Sequence, residues 1–448
     1  MMRKVTVKNV ALLSTIAAFG LAACAGEDIE PPPGGDGPVA GEDYEVNRSD
    51  LAYDTAPDVS VEALLADSDA MNTFGFELLA HMNAKAVEAG GADNLLISPL
   101  SIRSAFGMLY AGTAGTGRAA LASVMGFDPA GDPHAAANAR YLGLMGRVGA
   151  NDEGDFLDFS LANSLWGAPD FPVKASFLDT MAVNYDAGLN LLDFAADPEK
   201  ARGVINGWVE HETNDLIKEL FPQGSIHGGT KLALVNALYI KTTWSEQFLP
   251  EATREEDFTL ADGTVVQTDT MNGEMGGYYA THAYGDDETM IVAELPTYQD
   301  SIRFGVAMAA SPGAALTFDK ADLDGALGGL RSELLRVSLP KFKGELSEPD
   351  IKDDLAELGL AEFFAAPDLS ALTDSLKGYE IDAVVHKTVL DVREEGFEGA
   401  AATGITVGET SAPEFVEVDV DQPFVYWVRD VSSGAFIFLG TFEAPTSP

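Results

Sequence analysis

Three short stretches of this chain carry residue types that could do chemistry, and each fails on spacing or context. Gly112-Thr-Ala-Gly-Thr-Gly117-Arg-Ala119 is spaced like a loop whose backbone N–H groups cradle phosphate, but the lysine and the hydroxyl residue after it are missing. It also follows a helical pattern rather than a strand, so a plain turn is expected. His211-Glu-Thr-Asn-Asp215 opens like a zinc helix, yet Asp215 stands where a second imidazole would complete the metal pair. No Gly-x-Ser-x-Gly turn is present to expose a nucleophilic serine. The six histidines, at 81, 134, 211, 227, 282 and 386, show no ligand spacing. No metal and no cofactor are expected, and a surface hydrolase lacks a nucleophile–base motif.

One long segment has a different kind of chemical interest. Asp391 to Pro413 joins two strand-like runs and exceeds an ordinary connection, which marks it as functional or disordered. It alternates. Phe397, Gly399, Ala401, Thr403, Ile405 and Val407 fall on one side, with Glu398, Ala400, Ala402, Gly404 and Thr406 on the other. That is the period of a strand with one apolar face. A segment able to be a strand but drawn out as a loop implies a chain with two states.

The N-terminus reads as an address. Arg3, Lys4 and Lys8 give a basic start, and Val10 to Ala23 is apolar but too short to span a membrane. It ends in Leu21-Ala-Ala-Cys24, which resembles the lipobox of bacterial lipoproteins. By that resemblance residues 1–23 are a signal peptide and Cys24 carries acyl chains. Ala25 after it favours the outer membrane, facing periplasm or extracellular space. Cys24 is the only cysteine, so no internal disulfide is available. Residues 24–57 read as an acidic Pro/Gly tether, and 58–444 as one domain. A net charge of −44 argues against nucleic acid as a partner. A hydrophobic fraction of 46% is ample for a large core.

Helical spacing comes first within that domain: Met71, Phe74, Leu78, Leu79, Met82, then Ile102, Ala105, Phe106, Leu109. Asp197-Pro198 opens another helix with Val204, Ile205, Trp208, Val209, Leu216, Ile217 and Leu220 on its apolar side. Strand-like runs follow at Leu232 to Ile240, Ile291 to Leu295, Ile302 to Ala309 and Leu334 to Leu339. Phe424 to Val428 and Ala435 to Leu439 flank Ser432-Ser-Gly434 as a buried hairpin. Helices first and antiparallel strands later make an α+β fold.

Six pieces in one order carry a family resemblance. Asn94-Leu-Leu-Ile-Ser-Pro-Leu-Ser-Ile102 resembles the helix B signature of serpins, the serine protease inhibitors. Leu234-Val-Asn-Ala-Leu-Tyr-Ile-Lys-Thr-Thr-Trp244 is similar to their central strand-and-Trp motif. Val337 to Lys343 and Val385 to Leu390 resemble two further strands, and Gln422 to Val425 with Phe438 to Phe442 the C-terminal signature. The resemblance implies a large mixed central sheet, two further sheets, eight or nine helices and an exposed reactive loop over 394–413. It also implies a monomer that acts as a suicide substrate. A serine (or cysteine) protease cuts the loop and becomes acylated, and the loop inserts as a new strand in the central sheet.

Site residues follow from the same resemblance. Ser98, Ser101, Asn236 and His386 match the polar cluster where the sheet opens, and Trp244 with Glu394 the point where insertion starts. The hinge is Glu394, Gly396, Phe397, Glu398, Gly399, Ala400, Ala401, Ala402 and Thr403. Counting from Gly396 puts the scissile bond at Thr410–Ser411, a small side chain suited to elastase- or subtilisin-like enzymes, whereas counting back from Pro423 gives Ala412–Pro413, which the proline after the bond disfavours. Phe397 departs from the family's small residue, and a ring there could slow insertion by overpacking, at about 1–3 kcal/mol. The alternative reading is therefore a non-inhibitory binding or substrate-like surface protein on the same fold.

Overall fold

The computed structural model describes residues 3–6, 44–90, 94–151, 154–169, 171–215, 217–284, 288–311, 319–346, 350–375, 384–397 and 414–445. Nine α-helical segments and two nine-stranded sheets account for the order among them. The fold is α+β. The first sheet runs Arg3–Thr6, Glu45–Arg48, Leu189–Leu191, Phe156–Gly167, Leu232–Thr243, Gly396–Phe397, Val389–Arg393, Phe342–Glu345, with Gly149–Ala150 pairing off Phe156–Gly167. It is mixed, because Phe156–Gly167 and Leu189–Leu191 lie parallel. The two further sheets expected from the resemblance are joined by one shared strand. Val265–Tyr284 pairs with Arg254–Thr259 and Arg331–Pro340 along one part and with Glu288–Pro296 along the other.

Local sequence explains where the helices start. Ser98 accepts from the Ser101 N–H and Pro99 opens helix Pro99–Gly112. Nearly all of that helix is buried, because it lies beneath the first sheet with a strand of the second on its other side. Asp197 caps helix Pro198–Glu212 through the Lys200 N–H, and Ile205 and Val209 are buried on its inner face. This helix stops four residues before the expected Leu216. Asn214 and Asp215 both adopt positive φ, 48° and 64°, which breaks the helical ladder. Ile217 and Leu220 are buried all the same, in irregular chain. The turn expected within Gly112 to Gly117 is Thr113 and Ala114, between helices Pro99–Gly112 and Gly115–Met125. His211 is exposed in a last helical turn.

The body begins earlier than residue 58. Tyr44 stacks edge-on against Trp166 at 4.8 Å, and Glu45–Arg48 pairs with Leu189–Leu191. Ser49 bonds Asp179 and Tyr53 bonds Asn138. Three of the four residues of this short run are half-buried along Leu189–Leu191, which the acidic composition around it hides.

Two apolar clusters hold these layers. One lies between the first sheet and the helices; the other lies between the two sheets and includes Trp244, Phe304, Phe342, Phe397 and Tyr426.

Candidate functional site

The central strand Leu232–Thr243 sets the frame. Its whole length pairs with Phe156–Gly167 on one side, from Leu157↔Thr242 to Gly167↔Leu232. Its other side is filled at one end only. Gly396 opposes Thr243 and Phe397 opposes Thr242, while Arg393 and Val392 pair with the same two residues from beyond. Among the described residues no strand occupies the remaining rows, opposite Leu232 to Lys241.

The filled end is dry and tightly held. Phe397 is fully buried, with its ring 5.1 Å from Trp244 (edge-on) and 5.8 Å from Phe304. Pairs of this kind are worth about 0.5–1.5 kcal/mol beyond the area they bury. The Trp244 Nε1–H donates to the Arg393 carbonyl at 2.8 Å, and its backbone N–H to the Glu395 carbonyl at 3.0 Å. Glu394 accepts from Thr253 Oγ1 at 2.9 Å and pairs with Lys341 Nζ at 2.9 Å. Burial pushes the Glu394 carboxyl up, but the Lys341 ammonium and the hydrogen bonds to it outweigh that, leaving it below the ordinary range. Gly396 makes the seat possible. Its φ is +149°, and a Cβ there would lie 2.0 Å from the Thr242 carbonyl oxygen.

The expectation that Phe397 is a bulky residue still waiting to enter the sheet does not match this geometry. The ring is already between the strands, seated against Trp244 and Phe304, with Phe248 backing Trp244 in turn. Neighbours drawn from the second sheet make room that the hinge sequence alone does not reveal.

The open end is hollow. A cavity of about 390 Å³ lies beneath the unfilled rows, with Leu232, Leu234 and Asn236 of the strand, Ser101 and Phe106 of the helix, and His386 among its walls. The four polar residues named from sequence meet here. His386 Nε2 accepts from the Ser98 N–H at 3.0 Å, and Ser98 Oγ donates to the Ile437 carbonyl at 2.6 Å. The Ser101 hydroxyl donates to the Asn236 side-chain carbonyl. Burial holds the His386 imidazole down to about 3, so it is neutral and free to accept.

Asn163 and Ser104 complete this network and were not anticipated. Asn236 Nδ2 donates to Asn163 Oδ1 at 2.6 Å, and Ser104 Oγ donates to the same oxygen at 3.2 Å. Asn163 sits directly opposite Asn236. A polar residue on the inward face of an alternating strand (Leu157, Phe159, Leu161, Asn163, Leu165) was the available signal. Lys341, Thr253 and Phe304 carry no such local sign.

Cys24, Glu398, Gly399, Ala400, Ala401, Ala402, Thr403, Thr410 and Ser411 lie outside the described residues. No group of three or more potential metal ligands occurs among the described residues.

Comparison with known proteins agrees with this arrangement. A family model described as serpin (serine protease inhibitor) matches residues 69–445. Mouse neuroserpin is 33% identical over 366 residues, covering 80% of this chain and 87% of that one. Human serpin B4 is 31% identical over 401 residues, 84% of this chain and 99% of its own. The crystal structure of native protease nexin-1 with heparin superposes with a TM-score of 0.70 at 25% identity, covering 85% of this chain and all of that one.

Proposed function

Since the chain belongs to the serpin family, whose members are in general protease inhibitors rather than enzymes, we propose that it inhibits a serine (or cysteine) endopeptidase as a suicide substrate. The protease cuts the 394–413 loop at Thr410–Ser411 and is held as an acyl-enzyme, and the freed loop fills the open rows of the first sheet. A small residue before the cut suits elastase- or subtilisin-like targets, since a deep basic-selective pocket would find no cation there.

One observation carries this reading. Extending the register of Gly396↔Thr243 and Phe397↔Thr242 down the strand puts Ala401 opposite Leu238, Thr403 opposite Asn236, Ile405 opposite Leu234 and Val407 opposite Leu232. Directly opposed residues share a face, so these side chains would point into the hollow. Thr403 is the only polar side chain among the odd positions from 397 to 407. It falls on the row of Asn163 and Asn236, the polar row over the cavity. From 401 to 407 the match is apolar to apolar at Ala401, Ile405 and Val407 and polar to polar at Thr403. About ten new ladder hydrogen bonds, at roughly 1 kcal/mol each, would add to burial of Ile405 and Val407. The uncut molecule is then a kinetically held state.

The same reading makes Cys24 a lipid attachment site on an exported monomer held at a bacterial outer membrane. Removal of residues 1–23 would take the Arg3–Thr6 strand with it and leave Glu45–Arg48 as the sheet edge.

The test is incubation with subtilisin or pancreatic elastase. A covalent complex that survives boiling detergent supports inhibition. Clean loop cleavage without complex would instead identify a non-inhibitory protein.

A further inference from the structure

The first sheet records where the chain's N-terminal segment joins the body, and it is the pole away from the hinge. Glu45 pairs with Leu191, Leu191 with Gly167, and Gly167 with Leu232. Glu45 therefore lies on the row of Leu232, ten residues down the strand from Phe397's partner Thr242, or roughly 33 Å at about 3.3 Å per residue. Tyr44, stacked on Trp166, fixes that point to the body.

The register of the hinge leads to the same place. Continued down the sheet, it puts Val407 opposite Leu232, and Thr410 three residues beyond the end of that strand. Four strand spacings separate an inserted strand from Glu45–Arg48, about 19 Å at roughly 4.8 Å each. A protease carried to the pole opposite the hinge, as the family mechanism implies, would lie where the tether joins. We propose that the tether's length decides whether an anchored molecule can complete inhibition. This rests on the suicide-substrate and lipid-anchor reading above.

Lengths make the demand concrete. A 200-residue protease domain has a radius of gyration near 16 Å and a diameter of roughly 40 Å. From Cys24 to Tyr44 the chain can reach roughly 66 Å when fully extended, but as a relaxed coil it spans only about 25 Å. The native tether can thus stretch to admit an enzyme between body and bilayer. A shortened one cannot.

The experiment couples the chain beginning at Cys24, through that single thiol, to maleimide lipid in phosphatidylethanolamine–phosphatidylglycerol vesicles. The parent is compared with a deletion of residues 27–38, which leaves roughly 26 Å of reach, each on vesicles and free in solution, with subtilisin as the protease. The covalent complex and the cleaved protein are then quantified.

The expected result is equal complex yield for the two proteins in solution, with the deletion losing about threefold or more of its complex to simple cleavage on vesicles. Equal yields on vesicles would overturn the inference while leaving the inhibitor reading intact. Absence of complex from the free parent would sink both. Complex from the free deletion variant shows that it folds.

Discussion

The two ends of one strand gap differ in kind. At the hinge end the rings of Trp244 and Phe304, a Lys341–Glu394 pair and a glycine-only backbone turn hold Phe397 in a dry seat. At the far end no described strand fills the rows over a hollow of about 390 Å³, and its walls carry hydroxyls, the Asn236 amide (bonded to that of Asn163) and a neutral imidazole. Burial has already been taken at one end and is held in reserve at the other. If a further strand is to enter, what must part is the polar network rather than the seat of the phenyl ring. Polar groups suit that task, because hydrogen bonds can be exchanged between partners whereas packed rings cannot.

The largest test removes the far end from use. Ala401→Pro would place a residue without an N–H in the middle of the inserted strand. Covalent complex should vanish and the loop should simply be cleaved; an inhibitory yield equal to the parent's would rule out sheet insertion.

Phe397→Ala probes the near end. Loss of a fully buried ring costs about 3–5 kcal/mol. If the ring is seated before and after cutting, the thermal midpoints of uncut and cut protein should fall together by several degrees. A drop confined to the cut form would mean that the seat is filled only on insertion.

Acid acts on the polar end. His386 has its pKa lowered to about 3 by burial, against 6.5 for an exposed imidazole. The unfolded chain therefore takes up this proton first, and stability is full above pH 6.5 and lost as pH falls towards 3. Between pH 7 and pH 5 the loss from this one group is about 2 kcal/mol. His134, lowered to about 4, adds a similar decline in the same window. His386→Gln should roughly halve the slope of stability against pH over that range in denaturant titrations; an unchanged slope would dismiss the imidazole.

The smallest effect is the most specific. Thr403→Val should leave the uncut form untouched and reduce the gain in stability on cutting by about 1 kcal/mol, one hydrogen bond on the Asn163–Asn236 row. A larger change in the uncut form would mean that the loop does not follow the register of Phe397.

Much of this was legible beforehand, and the exceptions share a cause. The hairpin from Phe424 and the run Ile302 to Ala309 carry continuous apolar side chains, and the observed strands Phe424–Asp430, Phe436–Phe442 and Ile302–Ala309 agree with them. Asp197-Pro198 gave the helix start because capping is local. Strand Phe156–Gly167 escaped notice because Asp158, Ser160, Asn163 and Ser164 dilute its pattern. Val265–Tyr284 escaped because glycines at 273, 276 and 277 read as loop; at Gly277 a Cβ would lie 2.6 Å from Leu335, so the bare backbone is there for packing. The seat of Phe397 was hidden for the same reason. Phe304 and Lys341 reach it from elsewhere in the chain, and nothing in the hinge segment announces them.

The indole of Trp244 has an optical consequence. It is wholly enclosed, pressed against Phe397, and its ring N–H is bound to the Arg393 carbonyl. An indole so shielded emits at short wavelength and is poorly reached by soluble quenchers. Because its surroundings are complete before any strand is added, its spectrum should hardly register the cut. A dye at the cavity end would follow the same event in full.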